Sequence, residues 1–237
     1  FYVAAIVEIP SRSITAISTP VAADALQAGD FARANELYKK VSLHQLMIGG
    51  VVFLLLWANI DNLYDIIPRG DDFRGGKWVV LFIALSRLLV LFLGFGYTLL
   101  SFSRYYRWAL CFTFVTAGLT WLANYLLIPR LGITGAALGT FLAMVVAYSL
   151  QQWLVFKRLK GNPYSRQTAR YLLLLLALFG LNYLIPRLGN PWADAATRTA
   201  ALGVAVLLTV PFARLSGELD QLLGQARRFL GPRCNKS

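Results

Sequence analysis

Glu8 and Arg12 stand four residues apart in an apolar stretch with Pro10 between them, and Arg87 sits near the middle of the apolar run 78–101. A spacing of four places two helical side chains on one face, and ionised groups inside membrane-length apolar runs are expensive unless they face protein or water. Two readings follow. Glu8 and Arg12 neutralise each other as a folding staple, while Arg87 snorkels or pairs with another part of the protein. Alternatively, the arginines line a water-filled cavity and hold an anion, because a planar guanidinium matches phosphate oxygens in bidentate fashion. Pro10 and Pro20 would then interrupt their helix near the site, as broken helices do in transporters. Glu8 is the one acid within the apolar runs, hence the one candidate proton carrier.

Other chemistry is sparse. The single histidine, His44, has no partner at metal-ligand spacing, and Cys111 and Cys234 lie far apart. Cys111 reads as a small apolar helix residue and Cys234 as an exposed thiol in a reducing compartment. There is no Gly-rich phosphate loop. Asp61, Asp65, Asp71 and Asp72 in DNLYDIIPRGDDF (residues 61–73) are the one group that would suit an enzyme acting at a membrane face, against the plainer reading of a solvated loop.

These residues must be positioned by membrane-spanning helices. Hydrophobic residues make up 57% of the chain and charged ones 14%, with a mean hydropathy of +0.58. A soluble domain carries about 25% charged residues, so this surface faces lipid. Seven spans are expected, over residues 1–20, 46–67, 78–101, 109–128, 133–156, 168–185 and 197–215. Runs 109–128 and 133–156 are separated only by Pro129-Arg130-Leu131-Gly132, which requires an antiparallel helical hairpin. Gly135, Ala136 and Gly139 give its second helix a small-residue face that lets a neighbouring backbone come close.

Charge placement orients the spans. With the loops after spans one, three and five plus the tail on one side, that side carries 15 basic residues and the other 6, leaving Arg12 and Arg87 to complete the 23. The positive-inside rule puts the C-terminus in the cytoplasm. The net charge of +12 is thus mostly a topology signal. A nucleic-acid partner is not expected, since a basic face for RNA or DNA needs a soluble surface. Residues 30–44 place Phe31, Ala34, Leu37, Tyr38 and Val41 opposite Arg33, Glu36, Lys39 and Lys40, the pattern of a helix lying on the cytoplasmic surface. The tail repeats it, with Leu219, Leu222, Leu223, Ala226 and Leu230 opposite Arg227 and Arg228.

The segment NYLLIPRLGITGAALGTFLA (residues 124–143) resembles the C-terminal half of polysaccharide and O-antigen flippases of the multidrug/oligosaccharidyl-lipid/polysaccharide exporter superfamily. There, a helix ending N-x-x-L-I-P is followed by G-I-x-G-A-A. VEIPSRSITAISTPVAADALQAGDFARANELYKKVS (residues 7–42) and FSRYYRWAL (residues 102–110) are similar to two of the family's cytoplasmic turns. NYLIPRLG (residues 182–189) nearly repeats NYLLIPRLG (residues 124–132), which reads as shared helix-stop grammar. The resemblance implies an all-α, polytopic transmembrane bundle forming the C-terminal lobe of a two-lobe flippase. Because Phe1 already lies in apolar sequence, the expectation is that an N-terminal lobe precedes it. Residues 1–160 would be the lobe, 161–215 an appended helix pair, and 216–237 a cytoplasmic amphipathic tail.

The function implied is export of an undecaprenyl-diphosphate-linked oligosaccharide across a bacterial inner membrane by alternating access, with no catalysis and no cofactor. Arg12 is supported most, because the matching helix lines the family's central cavity; Arg87 and Glu8 complete the substrate-binding set. Some relatives couple to proton or sodium gradients, for which Glu8, Asn124 and Thr140 are the ion-coupling candidates, although Asn124 and Thr140 also read as helix-packing residues. No carboxylate accompanies them between residues 109 and 156. The alternatives are a drug/cation antiporter of the same superfamily and, in another class, an outer-face glycosyltransferase or polymerase.

Overall fold

The computed structural model describes residue 7 and residues 9–184 and 189–212. Among these the chain is all-helical. The α-helices are α1 (Ile9–Gln27), α2 (Phe31–Ala58), α3 (Ile60–Ile66), α4 (Lys77–Leu93), α5 (Phe95–Ser101), α6 (Tyr106–Leu159), α7 (Arg166–Leu184) and α8 (Pro191–Phe212), with a 3-10 segment over Gly70–Gly76. Three helical segments are long and apolar enough to cross a bilayer: Phe31–Ala58, Phe73–Leu93 and Tyr106–Leu159.

The last of these folds back on itself. Helical hydrogen bonding continues across 54 residues, but Gly132 breaks it with φ 58° and ψ −136°, a left-handed φ that glycine adopts without a Cβ penalty. A Cβ placed on Gly139 would lie 3.3 Å from the Ala123 Cβ. In one straight helix those positions would be about 24 Å apart. The expected antiparallel hairpin is therefore present. Its small face does what was expected of it: Gly135 sits against the Leu127 carbonyl, and Gly139 against Ala123 and Asn124. Each arm, at about 1.5 Å per residue, is about 40 Å long and spans a hydrocarbon core of about 30 Å.

The most enclosed of the three spanning segments is α2. Its lower half packs Ala34, Tyr38 and Val41 against Ala22 and Ala25 of α1, Phe95, Leu99 and Leu100 of α5, and Leu154 and Val155 of α6. Its upper half packs Leu46 and Leu54 against Phe92 and Leu93 of α4 and Tyr171, Leu175 and Leu178 of α7. Close approach to α7 needs Gly50, where a Cβ would meet Leu175 at 2.7 Å. Tyr171 then donates its hydroxyl to the Met47 carbonyl at 2.7 Å.

Several expectations are corrected. Residues 30–44 do not form a separate surface helix. They are the opening turns of α2, capped by Asp30 through a 2.9 Å bond from the Arg33 backbone N–H. Nothing breaks the chain between His44 and Leu46, and the stripe Ala34, Tyr38, Val41 is buried in protein. Pro10 and Pro20 do not interrupt α1. Pro10 lies in the first turn, where a missing N–H costs nothing, and the helix continues through Pro20 to Gln27. The expected span 46–67 is divided at Asn59, whose side-chain amide donates to the Leu55 carbonyl at 2.9 Å and competes with the backbone ladder. The span 78–101 is divided at Gly94. The amphipathic tail lies outside the described residues.

Candidate functional site

The predicted substrate residues occupy different environments. α1 packs on α2 through one face, where Gln45 reaches back to the Thr15 hydroxyl at 2.8 Å and Ser11 is buried. Arg12 is on the flank of that face and is exposed, with exposed Ala16 one turn on. Arg87 is half-buried in α4 and is engaged with partners. Val7, just before α1, joins the buried cluster of Ala84 and Leu91 that flanks Arg87 in α4, so the start of α1 lies beside that part of α4. Glu8 lies outside the described residues.

Asn124 packs against Gly139, the neighbour of Thr140, but the two side chains share no hydrogen bond. Asn124 lines a cavity of about 600 Å³ between the hairpin arms and α5, bounded also by Tyr97, Thr113, Thr116, Thr120, Trp121 and Gln151. Its Oδ1 is buried with no hydrogen-bond partner among the described residues. Thr140 does not line that cavity; its hydroxyl donates to the Ala136 carbonyl at 2.9 Å. Among the described residues, no group of histidines, cysteines and acids could hold a metal ion.

Two of the four acids of the loop are paired. Lys77 Nζ donates to both Asp61 oxygens at 2.7 and 2.8 Å, and Arg74 pairs with Asp65. The side chains of Asp71 and Asp72 lie outside the described ones.

Two buried polar clusters escaped the sequence reading. Toward the α1–α2 turn, Tyr38 donates to Gln152 Oε1 at 2.6 Å, and Gln152 Nε2 donates to the Gly161 carbonyl at 3.2 Å. The Leu93 carbonyl, at the helix break before Gly94, accepts from Gln151 Nε2 at 3.5 Å and lies 3.3 Å from the Tyr38 oxygen, whose one hydrogen it shares with Gln152. A break in a spanning helix frees backbone groups that lipid cannot satisfy, and here side chains satisfy one of them. The adjacent glutamines inside an apolar run were the available signal.

At the other end, Asp194 Oδ2 accepts from Arg198 Nε and Asn62 Nδ2, both at 2.7 Å. Arg198 also donates to the Asn182 carbonyl at 3.1 Å and to its Oδ1 at 3.0 Å. All four residues are buried. The cluster ties α8 to α3 and α7. Asp194 and Arg198 fall one turn apart because α8 begins at Pro191 rather than at residue 197, the expected start.

No protein-family model matches the chain, and no curated protein and no solved structure matches it.

Proposed function

We propose that this chain is a flippase lobe that moves an undecaprenyl-diphosphate-linked oligosaccharide across a bacterial inner membrane, with its C-terminus in the cytoplasm and seven helices crossing the bilayer. One observation carries the reading: Arg12 is exposed on α1, beside exposed Ala16 and half-buried Thr15 and Thr19. In the proposed span over residues 1–20 it stands eight residues from the inner end, about 12 Å into a core of about 30 Å. Facing lipid there, an arginine costs about 2.5–3.5 kcal/mol on insertion scales, whereas facing a water-filled cavity it meets anionic head groups. Rocking of this lobe against a second would present that face alternately to each leaflet.

The pairing of Asp61 with Lys77 and of Asp65 with Arg74 favours this reading over an enzyme at the outer face, because those carboxylates are engaged as ion pairs. The drug/cation antiporter loses weight because the lining of the hairpin cavity contains no acid.

The test is glycan export in cells carrying Arg12→Ala, with lipid-linked units fractionated by leaflet. Complete units should accumulate on the cytoplasmic leaflet while the protein level stays unchanged. Unpolymerised units on the outer leaflet would show that translocation survives without Arg12, and would give the enzyme reading priority.

A further inference from the structure

We propose that the hairpin cavity is a binding subsite for uncharged sugar residues, a proposal that rests on the transport reading above and locates the glycan within it. On one arm of the hairpin, Thr113, Thr116, Thr120 and Asn124 follow at steps of three and four, so they form one stripe about 16 Å long. Each threonine donates its hydroxyl hydrogen back to its own helix: Thr113 to the Ala109 carbonyl at 3.2 Å, Thr116 to Phe112 at 2.7 Å, and Thr120 to Thr116 at 2.8 Å. With the hydrogens so used, the oxygens offer lone pairs only. Asn124 closes the stripe, with its Oδ1 buried against Gly139 of the other arm.

The threonines thus present acceptors, Thr113 with the Tyr97 hydroxyl 3.4 Å away, while Trp121, Tyr148 and Gln151 bring donors to the same lining, so an occupant with many hydroxyls fits. Charge narrows the choice: the lining contains no acidic or basic residue. An ammonium group or metal ion, or equally a phosphate, would sit there without a counter-charge. A sugar fits both conditions, because its hydroxyls donate and its C–H faces lie against aromatic rings. Tyr97, Phe112, Trp121 and Tyr148 supply such rings around the stripe. The volume of about 600 Å³ is in the range of small-molecule sites.

The reporter is Ala117→Cys, a position that lines the cavity without hydrogen-bonding through its side chain. It is introduced with Cys111→Ser and Cys234→Ser into the full chain in nanodiscs. A charged maleimide should label it. Neutral trisaccharides of glucose, galactose, rhamnose or N-acetylglucosamine, tested separately, should include one that slows labelling about fivefold at about four times its Kd. Thr116→Val with Thr120→Val should abolish that protection, and serine at both positions should restore it. Labelling blocked by pyrophosphate, absence of labelling, or labelling that none of the sugars slows would each overturn the subsite. If Arg12→Ala still stops export in those cases, the transport reading stands without it; protection by tetraphenylphosphonium alone would overturn both in favour of the antiporter.

Discussion

Replacing Arg198 by methionine should be among the most damaging single changes in the described part of the chain. Its side chain is 7% exposed and that of Asp194 3%. The substitution leaves a buried carboxylate without its cationic partner, and removes the Arg198 donor to both Asn182 oxygens. Breaking one side of a buried ion pair costs about 3–5 kcal/mol, most of it the penalty of the orphaned charge. The pair itself need not be net stabilising. Arg198→Met combined with Asp194→Leu, which removes both charges, should therefore recover most of the loss. Unfolding of the full chain by denaturing-detergent titration, run as a double-mutant cycle, measures both quantities. A cost below about 1 kcal/mol for Arg198→Met, or a double variant as unstable as the sum of the singles, would refute the claim that this cluster holds α8 to α3 and α7.

Two further predictions concern the inner half of the bundle and the hairpin. Tyr38→Phe keeps the ring in its pocket but deprives Gln152 Oε1 of the donor at 2.6 Å, so stability in the same titration should fall by about 1–3 kcal/mol. Ala123→Cys with Gly139→Cys should form a disulfide under mild oxidation, since the two Cβ positions lie 3.3 Å apart, close to the Cβ separation of about 3.8 Å in such bridges. Absence of that bridge, with both thiols reactive, would mean that the hairpin is not closed at this level.

The elements whose signals lie in the backbone were legible in the sequence. Pro129 and Gly132 within an apolar run of double length announce a reversal, and Gly132 does take the left-handed φ. Apolar runs also located the start of α7 to within two residues but that of α8 only to within six, and composition could not show where neighbouring side chains would cut a helix. Asn59 ends α2 by bonding the Leu55 carbonyl, and the break at Gly94 goes with a Leu93 carbonyl bound by Gln151 and close to the Tyr38 hydroxyl. Both depend on partners distant in the chain or on local competition that hydropathy does not register. A charge count carries no burial, so it could not register the pairing of Asp194 with Arg198. Pro191 opens α8 early and turns them inward together.

For the site, the picture divides in the same way. Arg12 lies on an open face and Asn124 on a cavity wall, whereas Thr140 spends its hydroxyl within its own helix. The threonine stripe beside Asn124 was visible as a spacing, but its acceptor character emerges only once each hydroxyl hydrogen is seen to bond backward.

Transbilayer movement of the lipid itself tests the central claim most directly. The purified full-length protein is placed in sealed vesicles with a fluorescent undecaprenyl-diphosphate sugar in both leaflets, and an impermeant reductant is added outside. Fluorescence should fall below the half that protein-free vesicles retain, and Arg12→Ala vesicles should keep that half. If the unaltered protein leaves the inner-leaflet half protected, the chain does not flip this lipid and the transport account is wrong.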